Sequence, residues 1–214
     1  MKKIVFSAIL IAGISAFTGC SNNKNEEETT VKEQICFYEY DHASTKLEWT
    51  AYKTTAKVGV GGTFNEIKVI GGEKSSKVTD VLKSIKFTIP TNSTNTTNAD
   101  RDKKIIEHFF GVMQGTDLII GQVANVEGDD KSGLCKIYIN MNGIEQEVPF
   151  AYTVDDNVHV VLDGEIDMNN WNGQAAIDSL NTLCYDLHKG EDGESKLWPN
   201  VTIKIETTLK KTCN

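Results

Sequence analysis

Val158-His159-Val160-Val161-Leu162-Asp163-Gly164-Glu165-Ile166-Asp167-Met168 reads in twos. The even positions carry Val158, Val160, Leu162, Gly164, Ile166 and Met168; the odd ones carry His159, Val161, Asp163, Glu165 and Asp167. A strand sends successive side chains to opposite faces, so this alternation lays one face on a core and the other in water. The same period returns in Ile85/Phe87/Ile89, Cys135/Ile137/Ile139/Met141, Val148/Phe150/Tyr152/Val154 and Val201/Ile203/Ile205. Nearer the start, Leu47, Trp49 and Ala51 alternate with Glu48, Thr50 and Tyr52. Strands of this kind are half-buried and antiparallel, because a parallel sheet covered on both faces shows continuous apolar runs instead.

Asn142-Gly143 joins two of these runs, and a type I′ hairpin turn needs positive φ at both of its central residues. The stretch 90–98, built of Pro, Thr, Asn and Ser, reads as a loop. Two segments read as helices. Thr97-Asn98-Ala99-Asp100 has capping-box spacing, Asp100 and Asp102 suit a first turn, and Ile105, Ile106, Phe109 and Phe110 form an apolar stripe before Gly111. Leu180, Leu183, Cys184 and Leu187 form a second stripe, with Trp171 and Ala175 upstream and Gly190 at its end. Eight to ten strands with only two helices leave too many edges for an open layer, and closure into a barrel removes them. The expected fold is therefore an all-β antiparallel barrel of about eight strands with one or two short helices. A barrel of that size holds either packed side chains or one small ligand.

The chain has 214 residues, a formal charge of −8, 39% apolar and 24% charged residues. An acidic balance argues against sequence-independent nucleic-acid binding, which depends on basic residues facing phosphates. Lys2 and Lys3 precede an apolar run from Ile4 to Thr18, the pattern of a secretory signal peptide over residues 1–19. Phe17-Thr18-Gly19-Cys20 resembles a bacterial lipobox, with Phe17 in place of the usual Leu; the resemblance implies that Cys20 is acylated and becomes the first mature residue. Two or three acyl chains anchor stably where one is marginal. Cleavage removes Lys2 and Lys3, leaving 20 basic and 30 acidic residues, a charge of −10. Residues 21–34 are polar with one apolar residue and read as a solvated tether reaching at most about 45 Å. Residues 35–214 then form the barrel domain. The expected location is the bacterial cell envelope, lipid-anchored, at the outer membrane or periplasm ahead of the inner membrane.

Four segments, in order, carry a family resemblance. Thr45-Lys46-Leu47-Glu48-Trp49-Thr50-Ala51-Tyr52-Lys53, with the following Lys57-Val58-Gly59-Val60-Gly61-Gly62-Thr63-Phe64, resembles the opening of YceI-like, polyisoprenoid-binding proteins. The segment from Asn98 to Phe110 is similar to their acidic and Arg-containing helix ending in a Phe-Phe pair. Met141-Asn142-Gly143 resembles their central hairpin, although Glu145-Gln146-Glu147 replaces the basic residue usual after it. The resemblance covers about residues 37–209. It departs at 169–196, where a short loop is usual and this chain has 28 residues, an insertion suited to cap a barrel mouth or make a different interface. The resemblance implies an extended, lipocalin-like barrel binding an isoprenoid, quinone-like or other amphiphilic lipid. Burying fifteen hydrocarbon groups gains roughly 12 kcal/mol, less association costs.

The expected lining is Leu47, Trp49, Phe64, Phe87, Ile120, Ile137, Ile139, Phe150, Val160 and Leu162, with Phe109 and Phe110 from the helix. Each of these also suits plain core packing. The mature cysteines Cys36, Cys135, Cys184 and Cys213 are even in number, which favours disulfides in an exported chain. First and last strands neighbour each other in a closed barrel, so Cys36–Cys213 is preferred, leaving Cys135–Cys184; free buried thiols are the alternative. His42, His108, His159 and His188 are scattered without metal-ligand spacing, Val58–Gly62 lacks the lysine of a phosphate loop, and no nucleophile motif appears. Neither a catalytic centre nor a resident metal or cofactor is expected. The expected partners are the lipid and, through Cys20, the membrane, with a homodimer left open. The alternative function is a structural or protein-interaction barrel with a packed interior.

Overall fold

The computed structural model describes residues 34–214. The leader, Cys20 and all but the last residue of the tether lie outside the described residues. In chain order the elements are β1 (Cys36–Tyr40), β2 (Lys46–Lys53), β3 (Val58–Phe64), β4 (Lys68–Ile70), α1 (Val78–Lys83), β5 (Lys86–Pro90), β6 (Thr94–Asn95), α2 (Ala99–His108), β7 (Leu118–Gly128), β8 (Ser132–Met141), β9 (Ile144–Val154), β10 (His159–Asp167), α3 (Gln174–Leu183) and β11 (Leu197–Cys213).

All strand pairings are antiparallel, and they run β5-β7-β8-β9-β10-β11-β2-β3-β6. A 3₁₀ turn at Thr91–Ser93 links β5 to β6. The two act as one bent strand, so eight strands curl round the interior. The last seam is short: β3 meets β6 only at Thr63–Asn95 and Phe64–Thr94. The segment 90–98, expected to be a plain loop, thus supplies the residues that bring the curled sheet round on itself. β4 adds to β5, and β1 adds to the C-terminal end of β11 beyond the ring.

The alternation lands where the period of two puts it. Cys135, Ile137, Ile139 and Met141 on β8, Val148, Phe150 and Tyr152 on β9, and Val160, Leu162 and Ile166 on β10 are buried. Asn142 and Gly143 both have positive φ, at 50° and 69°, the type I′ geometry joining β8 to β9. Three inward aromatics lie over a cross-strand glycine: Trp49 over Gly62, Phe87 over Gly121 and Phe150 over Gly164. A Cβ at Gly164 would stand 2.5 Å from the Phe150 ring, and one at Gly62 only 2.3 Å from Trp49. Absent side chains at these positions let large rings lie flat along the barrel wall.

Asn98 caps α2, its Oδ1 accepting from Arg101 N at 3.0 Å, and the Phe-Phe pair follows in a turn of 3₁₀ helix. The second expected helix is broken up. A 3₁₀ turn at Met168–Trp171 ends in Asn172 at φ 53°, α3 begins after Gly173, and another 3₁₀ turn holds Tyr185–Leu187. α1, absent from the expectation, buries Val78, Val81 and Leu82. Its first amide, Val78 N, donates to the side chain of Asp130 at 2.8 Å.

Cys36 and Cys213 are bonded, their Cα atoms 4.0 Å apart and paired in the β1–β11 register. The second bridge does not exist: Cys135 and Cys184 are free and buried. Cys135 faces the barrel interior from β8, whereas Cys184 closes α3 over the mouth, so nothing brings the two thiols together. Among the described residues no helix is long and apolar enough to cross a membrane.

Candidate functional site

The interior is divided into separate spaces. The main chamber, about 120 Å³, is lined only by apolar side chains. β2 and β3 contribute Trp49 and Phe64, and the end of α2 contributes Ile105, Phe109 and Phe110. Ile177 and Leu180 of α3 cover the other side. Phe109 meets Phe110 edge-on at 5.2 Å, and Phe110 lies 6.3 Å from Phe64. The three rings form one aromatic wall. An apolar cavity of roughly 150 Å³ stays dry and takes up benzene, so this chamber suits a ring or a short branched hydrocarbon unit.

A mouth of about 360 Å³ adjoins the chamber and shares Trp49, Ala51, Ile105, Leu180 and Leu197 with it. That size lies in the range of small-molecule pockets. Its rim is polar: Lys53, Arg101, Lys104 and His188 stand there with Asn98 and Asp100. The imidazole of His188 is held by its Nδ1, which donates to Asn181 Oδ1 at 2.8 Å. Asn181 is oriented in turn by Ser195, whose Oγ donates to Oδ1 at 3.3 Å. Burial, reinforced by the Lys53 and Lys104 charges, pushes the His188 pKa down to about 4. The ring is therefore neutral near pH 7, with Nε2 an acceptor.

A third space of about 60 Å³ lies around Leu47, Phe87, Ile137 and Leu162, against Tyr40 and Leu82. Here the wall has a hydroxyl seam. Tyr40 Oη is bonded to Thr45 Oγ1, and Thr45 Oγ1 donates to Thr207 Oγ1 at 2.9 Å. Burial raises the Tyr40 pKa, and it pushes the Cys135 thiol up to about 12. That thiol stays protonated and unreactive.

The expected lining thus separates into three groups. Trp49, Phe64, Phe109 and Phe110 gather at the main chamber, and Leu47, Phe87, Ile137 and Leu162 at the far one. Ile139, Phe150 and Val160 are buried but line neither space. Phe150 fills the hollow over Gly164, and the carbonyl of Ile139 accepts from Trp171 Nε1 at 3.1 Å. Ile120 is misplaced by the sequence reading, being 49% exposed on the outer face. Its neighbours in the β5–β7 register settle this: Ile119 sits opposite the buried Ile89, which turns Ile120 outward beside Thr88.

The expectation also omitted Ile177, Leu180 and the basic rim. The spacing of Ile177 and Leu180 on one helix face was the available signal. Lys53, Arg101, Lys104 and His188 come from three separate segments, and no local pattern joins them. The inserted stretch 169–196 forms part of both chamber and mouth through Ile177, Leu180, Leu187 and His188. Among the described residues no three His, Cys, Asp or Glu side chains gather to hold a metal.

A curled antiparallel sheet around apolar chambers, with helices over one opening, defines a lipocalin-like barrel. The YceI-like domain family matches residues 38–209, and the chain belongs to that family. A polyisoprenoid-binding domain from Saccharophagus degradans, implicated in plant cell wall breakdown, superposes with a TM-score of 0.57 at 12% identity, covering 83% of this chain and 99% of that one. BcnA of Burkholderia cenocepacia superposes with a TM-score of 0.55 at 14% identity, covering 81% and 99%. At these identities the likeness is one of fold. No curated protein sequence matches this one.

Proposed function

We propose that this protein binds, carries or sequesters an isoprenoid or other amphiphilic lipid in its barrel, held at the bacterial envelope membrane through an acylated Cys20. The observation that carries this reading is the all-apolar chamber adjoining a larger mouth with a polar rim. An amphiphile has the same division: its hydrocarbon end gains about 0.8 kcal/mol per buried methylene while its polar end stays at the rim. The polyisoprenoid-binding relative from Saccharophagus degradans supports the same ligand class. The role is that of a binding protein and not an enzyme, and the fit is to a chain end entering the chamber from the mouth.

Native mass spectrometry of the full protein, purified without organic solvent, tests this. An adduct of lipid mass that disappears on organic extraction is the expected result, and extraction identifies it. Absence of any adduct, with no uptake of added prenyl lipid, rejects lipid carriage. Anchoring has its own test: Cys20→Ser moves the protein from the membrane fraction to the soluble one, and unchanged partition rejects the anchor.

A packed barrel serving protein interaction is the second reading. It is favoured by Ile139, Phe150 and Val160, which line neither chamber.

A further inference from the structure

The stretch 183–198 and the turn between β2 and β3 form one platform beside the mouth. Lys53 Nζ donates to the Leu187 carbonyl at 2.8 Å, and Thr54 N to the Lys196 carbonyl at 2.8 Å. Trp198 Nε1 donates to the Thr54 carbonyl at 2.7 Å, and Thr55 Oγ1 to Asp192 Oδ2 at 2.6 Å. Four bonds between the two segments hold this surface in place. After α3 the chain turns so that Cys184 and His188 are buried against the mouth. The same turn leaves Leu183, Tyr185 and Leu187 outside, at 45%, 51% and 61% exposure. Val58, the register partner of Lys53, is also exposed. Large apolar side chains gathered on the outside of a fixed support mark a contact surface.

Charge indicates what meets that surface. Residues 35–214 hold 18 basic and 26 acidic residues. The platform, residues 53–58 and 183–198, holds four of each: Lys53, Lys57, Lys189 and Lys196 against Asp186, Glu191, Asp192 and Glu194. An anionic surface therefore repels the barrel as a whole but not this part of it. The platform's lysines lie over aromatic rings. Lys189 Nζ is 5.0 Å from the Tyr185 ring, and Lys57 and Lys196 are 4.5 and 3.6 Å from that of Trp198. Apolar residues flanked by Tyr, Trp and Lys are the composition of a bilayer interface, with rings among the head groups and ammonium groups in water. The reach of the chain agrees. Residues 20–35 extend up to about 50 Å, whereas a 17-residue strand such as β11, tilted by about 40°, rises about 40 Å. An anchor at Cys20, joined to the barrel at Cys36 opposite the mouth, still lets the mouth meet the lipid.

Resting on the lipid-binding reading for the choice of partner, we infer that Leu183, Tyr185 and Leu187 of the inserted stretch dock the mouth onto a bilayer surface, where ligand is exchanged. The platform has no net charge, so apolar contact holds it and lipid charge matters little. Three side chains hold weakly on their own. Docking is therefore read at millimolar lipid and is lost on the dilution of cell fractionation, while an acylated Cys20 supplies the high local concentration at a membrane.

The test uses the full mature chain with Cys20→Ser and vesicles of brominated phosphatidylcholine, which quench tryptophans that reach the lipid. Saturable quenching at millimolar lipid is expected, with a half-saturation point changed less than threefold by added phosphatidylglycerol. Leu183→Glu with Tyr185→Glu is expected to raise that point at least fivefold. Ile70→Glu with Ile120→Glu, exposed on the barrel wall, is expected to leave it within twofold. Uptake of geranylgeraniol from detergent solution is expected to stay within twofold in both variants, since none of these four side chains lines the chamber or the mouth. No quenching of the parent, an unchanged half-saturation point in the platform variant, or equal loss in both variants overturns the docking assignment. Loss of uptake from detergent in the platform variant also overturns it, by placing Leu183 and Tyr185 in the ligand site. Self-association that the platform variant abolishes, without quenching of the parent, overturns it in favour of a second copy. Quenching as expected with no uptake of prenyl lipid from any source overturns the lipid-binding reading and leaves the docking surface standing.

Discussion

The two ends of the barrel are closed by different means. At the far end, β1 runs along β11 outside the ring, a disulfide joins Cys36 to Cys213, α1 plugs the interior with Val78, Val81 and Leu82, and hydroxyls of Tyr40, Thr45 and Thr207 bond one another. At the mouth end the described residues place no disulfide: the cover is the Phe109–Phe110 wall after α2, the apolar face of α3 and a polar rim, tied to the barrel by hydrogen bonds from Lys53 Nζ to the Leu187 carbonyl and from Trp171 Nε1 to the Ile139 carbonyl. A covalent and hydrogen-bonded closure resists opening over its whole length, whereas an apolar cover yields wherever another apolar surface replaces it. The far end is built as a base and the mouth as an entrance.

Changes at the base are expected to cost the most. Removing the disulfide by Cys36→Ser with Cys213→Ser frees a sequence span of 177 residues in the unfolded chain. A loss of about 4 kcal/mol is expected, read as a lowered urea midpoint. A loss below about 1 kcal/mol would show that β1 pairing alone holds the base. Leu82→Ala, at a fully buried site, is expected to cost about 3 kcal/mol by the same measurement.

The mouth breaks the comparison through pH. His188 has a folded pKa of about 4 against 6.5 for the free ring. As pH falls below 6.5 the unfolded chain takes up a proton that the folded ring refuses, so stability drops until about pH 4 and then levels. The loss is on the order of 2 kcal/mol, and His188→Gln should remove that part of the pH slope in denaturant melts. A slope unchanged in the variant would assign the titration elsewhere. The smallest stability effect is expected for Phe110→Ala, since that ring is only half-buried: about 1 kcal/mol, together with a larger stoichiometric uptake of prenyl lipid. Uptake unchanged or reduced would mean that truncating this part of the chamber wall opens no further space to the lipid.

Much of the base and frame was legible because the signals are local. Period-two alternation on β8, β9 and β10, the Asn142-Gly143 turn, and the start of α2 each need only neighbouring residues, although the capping-box spacing pointed to Thr97 and the cap is Asn98, one residue later. What escaped depends on partners distant in sequence. α1 is six residues long and its first amide is held by Asp130, 52 positions away. Leu118-Ile119-Ile120 is a continuous apolar run, so parity says nothing, and only the register against β5 turns Ile119 in and Ile120 out. The fit of Phe150 onto Gly164 is likewise a cross-strand fact, invisible to a reading of either strand alone. The mouth was least legible of all: Lys53 and His188 meet across 135 positions of sequence, and only the fold makes them neighbours.

The pairing of β1 with the last stretch of β11 also decides how the molecule bears a load. A pull on the chain ahead of Cys36 reaches the sulfur bridge first and passes through Cys213 into β11. Ahead of its pairing with β1, β11 is held by β10 over residues 200–208 and by β2 over residues 197–206, so the tension arrives as shear across two ladders and not as peeling at one strand end. Tugging of this kind is taken up by the base, and the entrance keeps its shape.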